Sequence, residues 1–235
     1  MPNSQYRYLQ RHFSDLIRDN KLKSGTKLPS EREIGEAFKV TRVTVRQALQ
    51  NLEAEGLIYR QNRRGWFVTP PAVVYDPASH LSFNRYVAEQ GSTPHTEKLA
   101  QQVEPANAKI AQLMCITEGT PVLFLHRRRY INLRPILIEK MYINLDLLPG
   151  LENEDLSQSL SQLLQQKYQR EYRDMDLSFK STALPSHAAN DLGISTGQAG
   201  LQVERINYTS DKKVLEIDYE FWRHDAVTIN IAIRD

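Results

Sequence analysis

The sequence predicts an α+β protein in two parts, and three observations carry that reading. Between Leu28 and Val68 lie two short helical segments with start signals and then a hairpin with a basic tip. A proline-bearing stretch, Thr69-Pro70-Pro71-Ala72 through Asp76-Pro77, follows and resists regular structure. Near the C-terminus, β-like segments at about 201–209, 213–223 and 226–233 follow one another directly, which implies an antiparallel sheet. The expected division is residues 1–70, a linker over 71–79, and a second domain over 80–235.

In the first part, Leu9, Phe13, Leu16 and Ile17 share one face of a helix over 6–20, which ends at the turn Lys23-Ser24-Gly25-Thr26. Ser30 and Glu33 stand at capping-box spacing, so each side chain can satisfy the other's backbone N–H. Ile34, Ala37 and Phe38 then predict a buried stripe, and Lys39-Val40 a short turn. Thr41 caps the next helix, whose inner face is Val45, Ala48, Leu49 and Leu52, leaving Arg42, Thr44, Arg46 and Gln47 outside near its start. Leu57–Arg60 and Trp66–Val68 read as strands around Gln61–Gly65, with Arg63 and Arg64 at the tip. Two capped helices and a basic hairpin spell a winged helix-turn-helix. A helix entering the major groove end-on presents its first turns to base edges, where Arg pairs with guanine and the free N–H groups favour phosphate. Either feature alone is commonly just a solvated surface; the order of the three is what points to DNA.

Charge follows the same division. Residues 1–70 hold 13 Lys and Arg against 7 Asp and Glu, and the remainder holds 17 against 21. A basic head on a mildly acidic body suits a nucleic-acid reader joined to another kind of domain. No apolar run approaches a membrane span and no signal-peptide core opens the chain, so no membrane partner and a cytoplasmic location are expected. The lone cysteine, Cys115, excludes an internal disulfide and reads as a small buried side chain. Six scattered histidines suggest no metal, and no cofactor is expected.

The second part mixes helices over 83–90, 107–114, 156–168 (Leu156, Leu160, Leu163 and Leu164 in phase) and 186–192 with strands at 122–131, 135–145 and 172–182. Alternation puts Leu123, Leu125, Arg127 and Arg129 on one strand face and His126, Arg128 and Tyr130 on the other. Two arginines emerging where an apolar face ends suit an anionic ligand gripped bidentately, or equally an exposed strand paired with nearby carboxylates. Glu139 and Glu216 suit ligand hydroxyls or an ammonium group, or equally serve as partners for those arginines. His224 and Asp225, adjacent in the chain, point to opposite sides and do not form a catalytic pair.

Leu28-Pro29-Ser30-Glu31-Arg32-Glu33, Thr41-Arg42-x-Thr44-x-Arg46 and Gly56-Leu57-Ile58 resemble the DNA-binding domain of the GntR family of bacterial regulators over about residues 6–70. That resemblance implies DNA contacts from Arg32, Thr41, Arg42, Thr44, Arg46, Arg63 and Arg64, with Gly65 letting the wing approach the backbone. Arg127-x-Arg129-Tyr130, Pro135 with Glu139, Leu147-Leu148-Pro149, Ser159-Leu160, Val214-Leu215-Glu216 and Trp222-Arg223-x-Asp225 resemble UTRA, the effector-binding domain of the HutC subfamily, whose fold is similar to chorismate lyase. It implies ligand contacts from Arg127, Arg129, Glu139, Ser159, Glu216 and Trp222. Two positions depart from many relatives: Ser161 stands where Tyr is common, and Trp222 replaces a Tyr. Arg63-Arg64-Gly65-Trp66-Phe67-Val68-Thr69-Pro70, Met175–Phe179 and Trp222-Arg223-His224-Asp225 resemble regulators of 2-aminoethylphosphonate use. The implied protein is a non-enzymatic, homodimeric repressor binding double-stranded operator DNA and a small anion: a phosphonate first, with a sugar phosphate or carboxylate as alternatives. A lyase-like enzyme with a DNA-binding head is the competing class.

Overall fold

The structure is a computed structural model that describes residues 2–61, 63–79, 81–170 and 172–232. In the head, α1 (Pro2–Arg18) packs across α2 (Glu31–Phe38) and α3 (Arg42–Ala54), and β1 (Ile58–Gln61) pairs antiparallel with β2 (Gly65–Val68). The starts of α2 and α3 are set by side chains. Ser30 Oγ accepts from Glu33 N at 3.3 Å while Ser30 N donates to Glu33 Oε2 at 2.7 Å, and Thr41 Oγ1 accepts from Thr44 N at 3.2 Å. Lys39, with φ of 54°, ends α2 in the left-handed region. Leu9, Phe13, Ile34, Val45, Leu49, Leu52, Ile58 and Trp66 form one core, so the helix pair and hairpin are a single packed unit. Each of these buried apolar side chains contributes about 1.5–3 kcal/mol. Ala37 departs from the expected stripe: it is exposed, because α3 covers only the Ile34 side of this two-turn helix.

The expected linker is not wholly irregular. Val73–Tyr75 forms β3, after which come α4 (Phe83–Glu89), β4 (Pro94–Pro105), α5 (Ala108–Met114), β5 (Pro121–Ile131), β6 (Arg134–Asn144), α6 (Leu160–Tyr168), β7 (Asp174–Ala183), α7 (Ser186–Leu192), β8 (Ala199–Tyr208), β9 (Val214–Arg223) and β10 (Val227–Ile229). Six strands make one antiparallel sheet in the order β4-β5-β6-β9-β8-β7. The last expected strand departs from it. β10 pairs parallel with β3, tying the linker to the end of the chain, and Ile233, its expected final residue, lies outside the described residues.

Two other expectations change. The helix proposed from Leu156 begins only at Leu160, because Ser159 serves as its N-cap and accepts from Gln162 N; Leu156 is buried from the preceding loop. Cys115 is exposed, since it is the left-handed C-cap of α5 and its side chain is turned out of the helix's buried face. Asn132 and Leu133, at φ of 50° and 65°, close the β5–β6 hairpin as a two-residue turn, and a bulge between Tyr130 and Arg129 then shifts the register to the one that pairs Arg129 with Leu137 and Arg127 with Glu139.

The sheet has two unlike faces. One packs Val122 and Ile217 against α5, and Ile138 and Phe221 against α7. The other is apolar at one end, where Leu123, Leu125 and Ile143 meet α6, and at the other, where Leu137 and Trp222 meet β3 and α4. Between these two apolar ends it carries charge.

Candidate DNA-reading surface and effector cavity

The outer face of α3 projects from the head. Arg42 and Arg46 are exposed, Thr44 is half-buried, and Thr41 and Thr44 join hydroxyls at 2.9 Å. Arg46 Nη2 lies 3.0 Å from Glu31 Oε2, and Arg32 pairs with Glu36 at 3.8 Å. Such exposed pairs are worth at most about 1 kcal/mol, so phosphate can displace them. Val43 is 76% exposed on this same turn, an apolar side chain of the kind that suits contact with a thymine methyl. Sequence reasoning passed over it, although an apolar residue outside the 3.6-residue stripe was a signal. At the wing tip Arg63 and Arg64 are exposed, and the Arg64 guanidinium lies 5.7 Å from the Phe67 ring centre. Gly65 has φ of 107°, which only glycine adopts readily, and an added Cβ would meet Lys27 at 3.3 Å. The glycine is therefore required by the hairpin itself.

In the effector domain Arg127, Arg129, Glu139, Ser159, Glu216 and Trp222 all line one cavity of about 80 Å³. A water needs about 10–15 Å³ on that scale, so the space suits a compact ligand. The register explains the convergence. Side chains of one parity point to this face, and β5, β6 and β9 pair Arg127 with Glu139 and Glu139 with Glu220, and Arg129 with Leu137 and Leu137 with Trp222. Glu139 Oε2 accepts from Arg127 Nε and from Arg129 Nε, both at 2.9 Å. Arg129 Nη1 also donates to Thr96 Oγ1 at 2.6 Å, and its guanidinium lies 5.0 Å from the Phe83 ring centre. The strand is buried, whereas the second sequence reading makes it exposed; its arginines are nonetheless ion-paired with Glu139, and they line a cavity.

Sequence reasoning missed three charged lining residues, Arg205, Asp218 and Glu220. Arg205 donates to Glu220 Oε1 at 2.5 Å and to the Tyr75 hydroxyl at 2.6 Å, and Trp222 Nε1 donates to Glu220 Oε2 at 2.7 Å. Glu216 accepts from the Tyr172 hydroxyl at 2.6 Å and from Asn207 at 3.0 Å. Asp218 lies between them. The alternation Glu216, Asp218, Glu220, Trp222 along β9 was the available signal, since four non-aliphatic side chains on one face of a central strand need a polar interior. Tyr75, from the linker strand, stacks on Trp222 at 6.3 Å and completes the wall.

Burial and charge set the protonation of this lining. Burial pushes the Glu139 carboxyl up, but Arg127 and Arg129 prevail and hold it below the usual carboxylate range. Burial raises Glu216, and it raises Asp218 strongly, helped there by the nearby Glu220, Glu139 and Glu216. Burial likewise raises the Tyr75, Tyr86 and Tyr172 hydroxyls, which therefore remain neutral donors. The arrangement places guanidinium, carboxyl and hydroxyl groups where they can hold a small charged ligand.

Head and effector domain meet at a second charged cluster. Asp225 accepts from Arg134 at 2.5 Å and from Arg223 at 3.2 Å, and the Tyr59 ring of the head lies 4.2 Å and 5.8 Å from those two guanidinium carbons. A Cβ on Gly56 would come within 3.1 Å of Asp225 Cβ, so the surfaces are in close contact. Asp225 is thereby accounted for as a structural anion.

This fold and these two sites define a DNA-binding regulator with a small-molecule sensor. Residues 5–68 match the GntR family of bacterial regulatory proteins, and residues 89–228 match the UTRA domain. The chain is 34% identical over 220 residues to the uncharacterized HTH-type transcriptional regulator YihL of Escherichia coli K12, spanning 92% of each chain. It is 27% identical over 223 residues to the HTH-type transcriptional repressor NagR of Bacillus subtilis, spanning 95% of this chain and 92% of that one. Its fold is similar to that of PhnF from Mycobacterium smegmatis, with a TM-score of 0.68, 22% identity, and 98% and 99% of the two chains covered. The chain belongs to the GntR family, as a transcriptional regulator with a UTRA effector domain. Proteins of this family bind operator DNA and small-molecule effectors. Among the described residues no helix is long and apolar enough to cross a membrane.

Proposed function

We propose that the chain is a homodimeric repressor whose residues 1–70 bind operator DNA and whose residues 80–235, joined to them by 71–79, release it on binding a small anion. The favoured effector is a phosphonate such as 2-aminoethylphosphonate. The observation that carries this reading is the pair of buried guanidiniums, Arg127 and Arg129, lining a cavity of the effector domain. Guanidinium forks suit tetrahedral oxyanions, and the cavity's small volume favours a short phosphonate over a bulkier sugar phosphate. One relative is named a repressor and another, in E. coli, the mannosyl-D-glycerate transport/metabolism system repressor, which supports the sign of regulation. Two heads are expected because one reads only a few base pairs, while a palindrome joins the contacts of two. DNA contacts fall to Arg32, Thr41, Arg42, Thr44, Arg46, Arg63, Arg64 and Gly65.

The test is melting temperature together with mobility shift on DNA upstream of the protein's own gene. A ligand at one hundred times its Kd adds about 2.7 kcal/mol, a rise of roughly 5–10 °C for a chain of this size. That rise is expected to vanish in Arg127→Ala/Arg129→Ala. Stabilisation retained in the double variant would place the ligand elsewhere, and absence of specific DNA retardation would end the repressor reading.

A further inference from the structure

Among the described lining residues, one carboxyl keeps an oxygen without a hydrogen-bond partner, and the Nε of the neighbouring Arg205 likewise has none. Glu139 is shared by Arg127 and Arg129; Glu220 is held by Arg205 and Trp222; Glu216 is held by Tyr172 and Asn207. Asp218 is only 4% exposed, yet its Oδ1 has no hydrogen-bond partner. It stands mid-strand between Met141 of β6, which brings a thioether, and Arg205 of β8, whose guanidinium is turned to Glu220 and Tyr75. A buried polar atom left unbonded costs free energy that a ligand group placed against it restores.

We propose that Asp218 is the cation-binding residue of the cavity: it receives the ammonium of a compact zwitterionic effector whose anionic head rests on Arg127 and Arg129. This rests on the reading of the cavity as the effector site. Geometry supports the two-ended arrangement. Arg127 and Arg129 lie on β5, and Asp218 lies on β9, two strands across the same face. Strands are spaced about 4.8 Å apart, so inward-reaching side chains leave a gap that a short ligand spans. Charge balance is compatible. With Asp218 neutral the lining holds three guanidiniums and three other carboxyls, and a zwitterion, which adds no net charge, leaves that balance unchanged. The neutral state that burial and three neighbouring carboxylates favour for Asp218 is the state of an acid awaiting a counter-ion. Glu139, Glu216 and Glu220, the other acidic positions, already have their partners.

The experiment is titration calorimetry on the full chain with matched probes that differ by the amino group: 2-aminoethylphosphonate against ethylphosphonate, and glucosamine 6-phosphate against glucose 6-phosphate. The wild-type protein is expected to prefer the amino member of a bound pair by about tenfold or more, on the order of 1.4 kcal/mol. Asp218→Asn, which keeps size and hydrogen-bonding capacity, is expected to remove that preference while leaving affinity for the probe lacking the amino group within about twofold. A merely structural role would weaken both members together. Glu216→Gln is expected to keep the preference; if it alone abolishes it, the cation sits on Glu216 and the proposal is overturned. Equal wild-type affinity for both members of a bound pair overturns Asp218 and leaves the anion site standing. Failure to bind any member overturns both readings.

Discussion

Replacing Glu139 by Gln tests the electrostatic account of the cavity most directly. The side chain keeps its shape and loses its charge, leaving the Arg127 and Arg129 guanidiniums, 2% and 5% exposed, without the carboxylate they share at 2.9 Å. Breaking a buried ion pair from one side costs about 3–5 kcal/mol, because the remaining charge stays desolvated. At about 2–4 °C per kcal/mol for a chain of 150–250 residues, the fall in melting temperature should be about 6–20 °C. The specific signature is rescue. Inorganic phosphate supplies the missing negative charge to the same two guanidiniums, so millimolar phosphate should raise the melting temperature of Glu139→Gln more than that of the wild type. Sodium chloride at matched ionic strength should not. Differential scanning calorimetry of both proteins in both salts gives the four values required. An unchanged melting temperature, or a phosphate effect no larger in the variant, would refute the claim that Glu139 neutralises and aligns the arginines.

Three further outcomes are expected. Arg42→Ala and Arg46→Ala should each weaken operator binding by about 1–3 kcal/mol if the side chain reads a base, with effector-domain melting unchanged; fluorescence anisotropy against salt should also show Arg64→Ala lowering the salt slope by about one if its contact is a phosphate. Asp218 is held neutral by burial and by Glu220, Glu139 and Glu216, so its folded pKa lies above its unfolded one; the stability it permits is full below about pH 4 and is lost as pH rises toward the folded value. Asp218→Asn should therefore be more stable than wild type at pH 8, with the difference shrinking toward pH 5, and denaturant midpoints at the two pH values check the sign. Tyr59→Ala removes a ring beside two guanidiniums, each contact worth about 0.5–2 kcal/mol; operator binding should persist while its response to effector falls, as mobility shifts with and without ligand would show.

The head was legible in the sequence because its signals are local. Ser30 with Glu33, and Thr41 before Arg42, act within one helical turn, so spacing alone places the helix starts and, with them, the outward Arg42 and Arg46. The arginine pair on β5 was legible for a similar reason, since alternation fixes which residues share a face. What escaped was long-range. β4 is an edge strand with one buried residue in twelve, so His95 to Glu104 shows no apolar alternation and its pairing with β5 alone makes it a strand. β3 is three residues among prolines and exists because β10 pairs with it. Arg205 and Asp218 gain meaning only when β8 and β9 come side by side in register, which no single segment announces.

The same register explains how one cavity can act on a distant head. β9 presents Glu220 and Trp222 to the ligand space and then, one residue later, Arg223 to the joint with Tyr59. β5 and β6 carry Arg129 and Glu139 into the cavity and turn at Asn132 and Leu133 into Arg134, which lies against the same ring. The linker strand adds a third route, since Tyr75 bonds Arg205 in the cavity while its segment leads back within a few residues to β2. A ligand that shifts the Arg205–Glu220–Trp222 contacts therefore acts on both ends of the head's attachment. By linkage, the free energy with which effector alters the joint must equal that with which an arrangement of the heads, selected by DNA, alters effector affinity. Operator DNA should accordingly weaken effector binding by the same factor by which effector weakens operator binding. Unequal factors in titrations run in both orders would show that effector and operator do not act on one shared equilibrium.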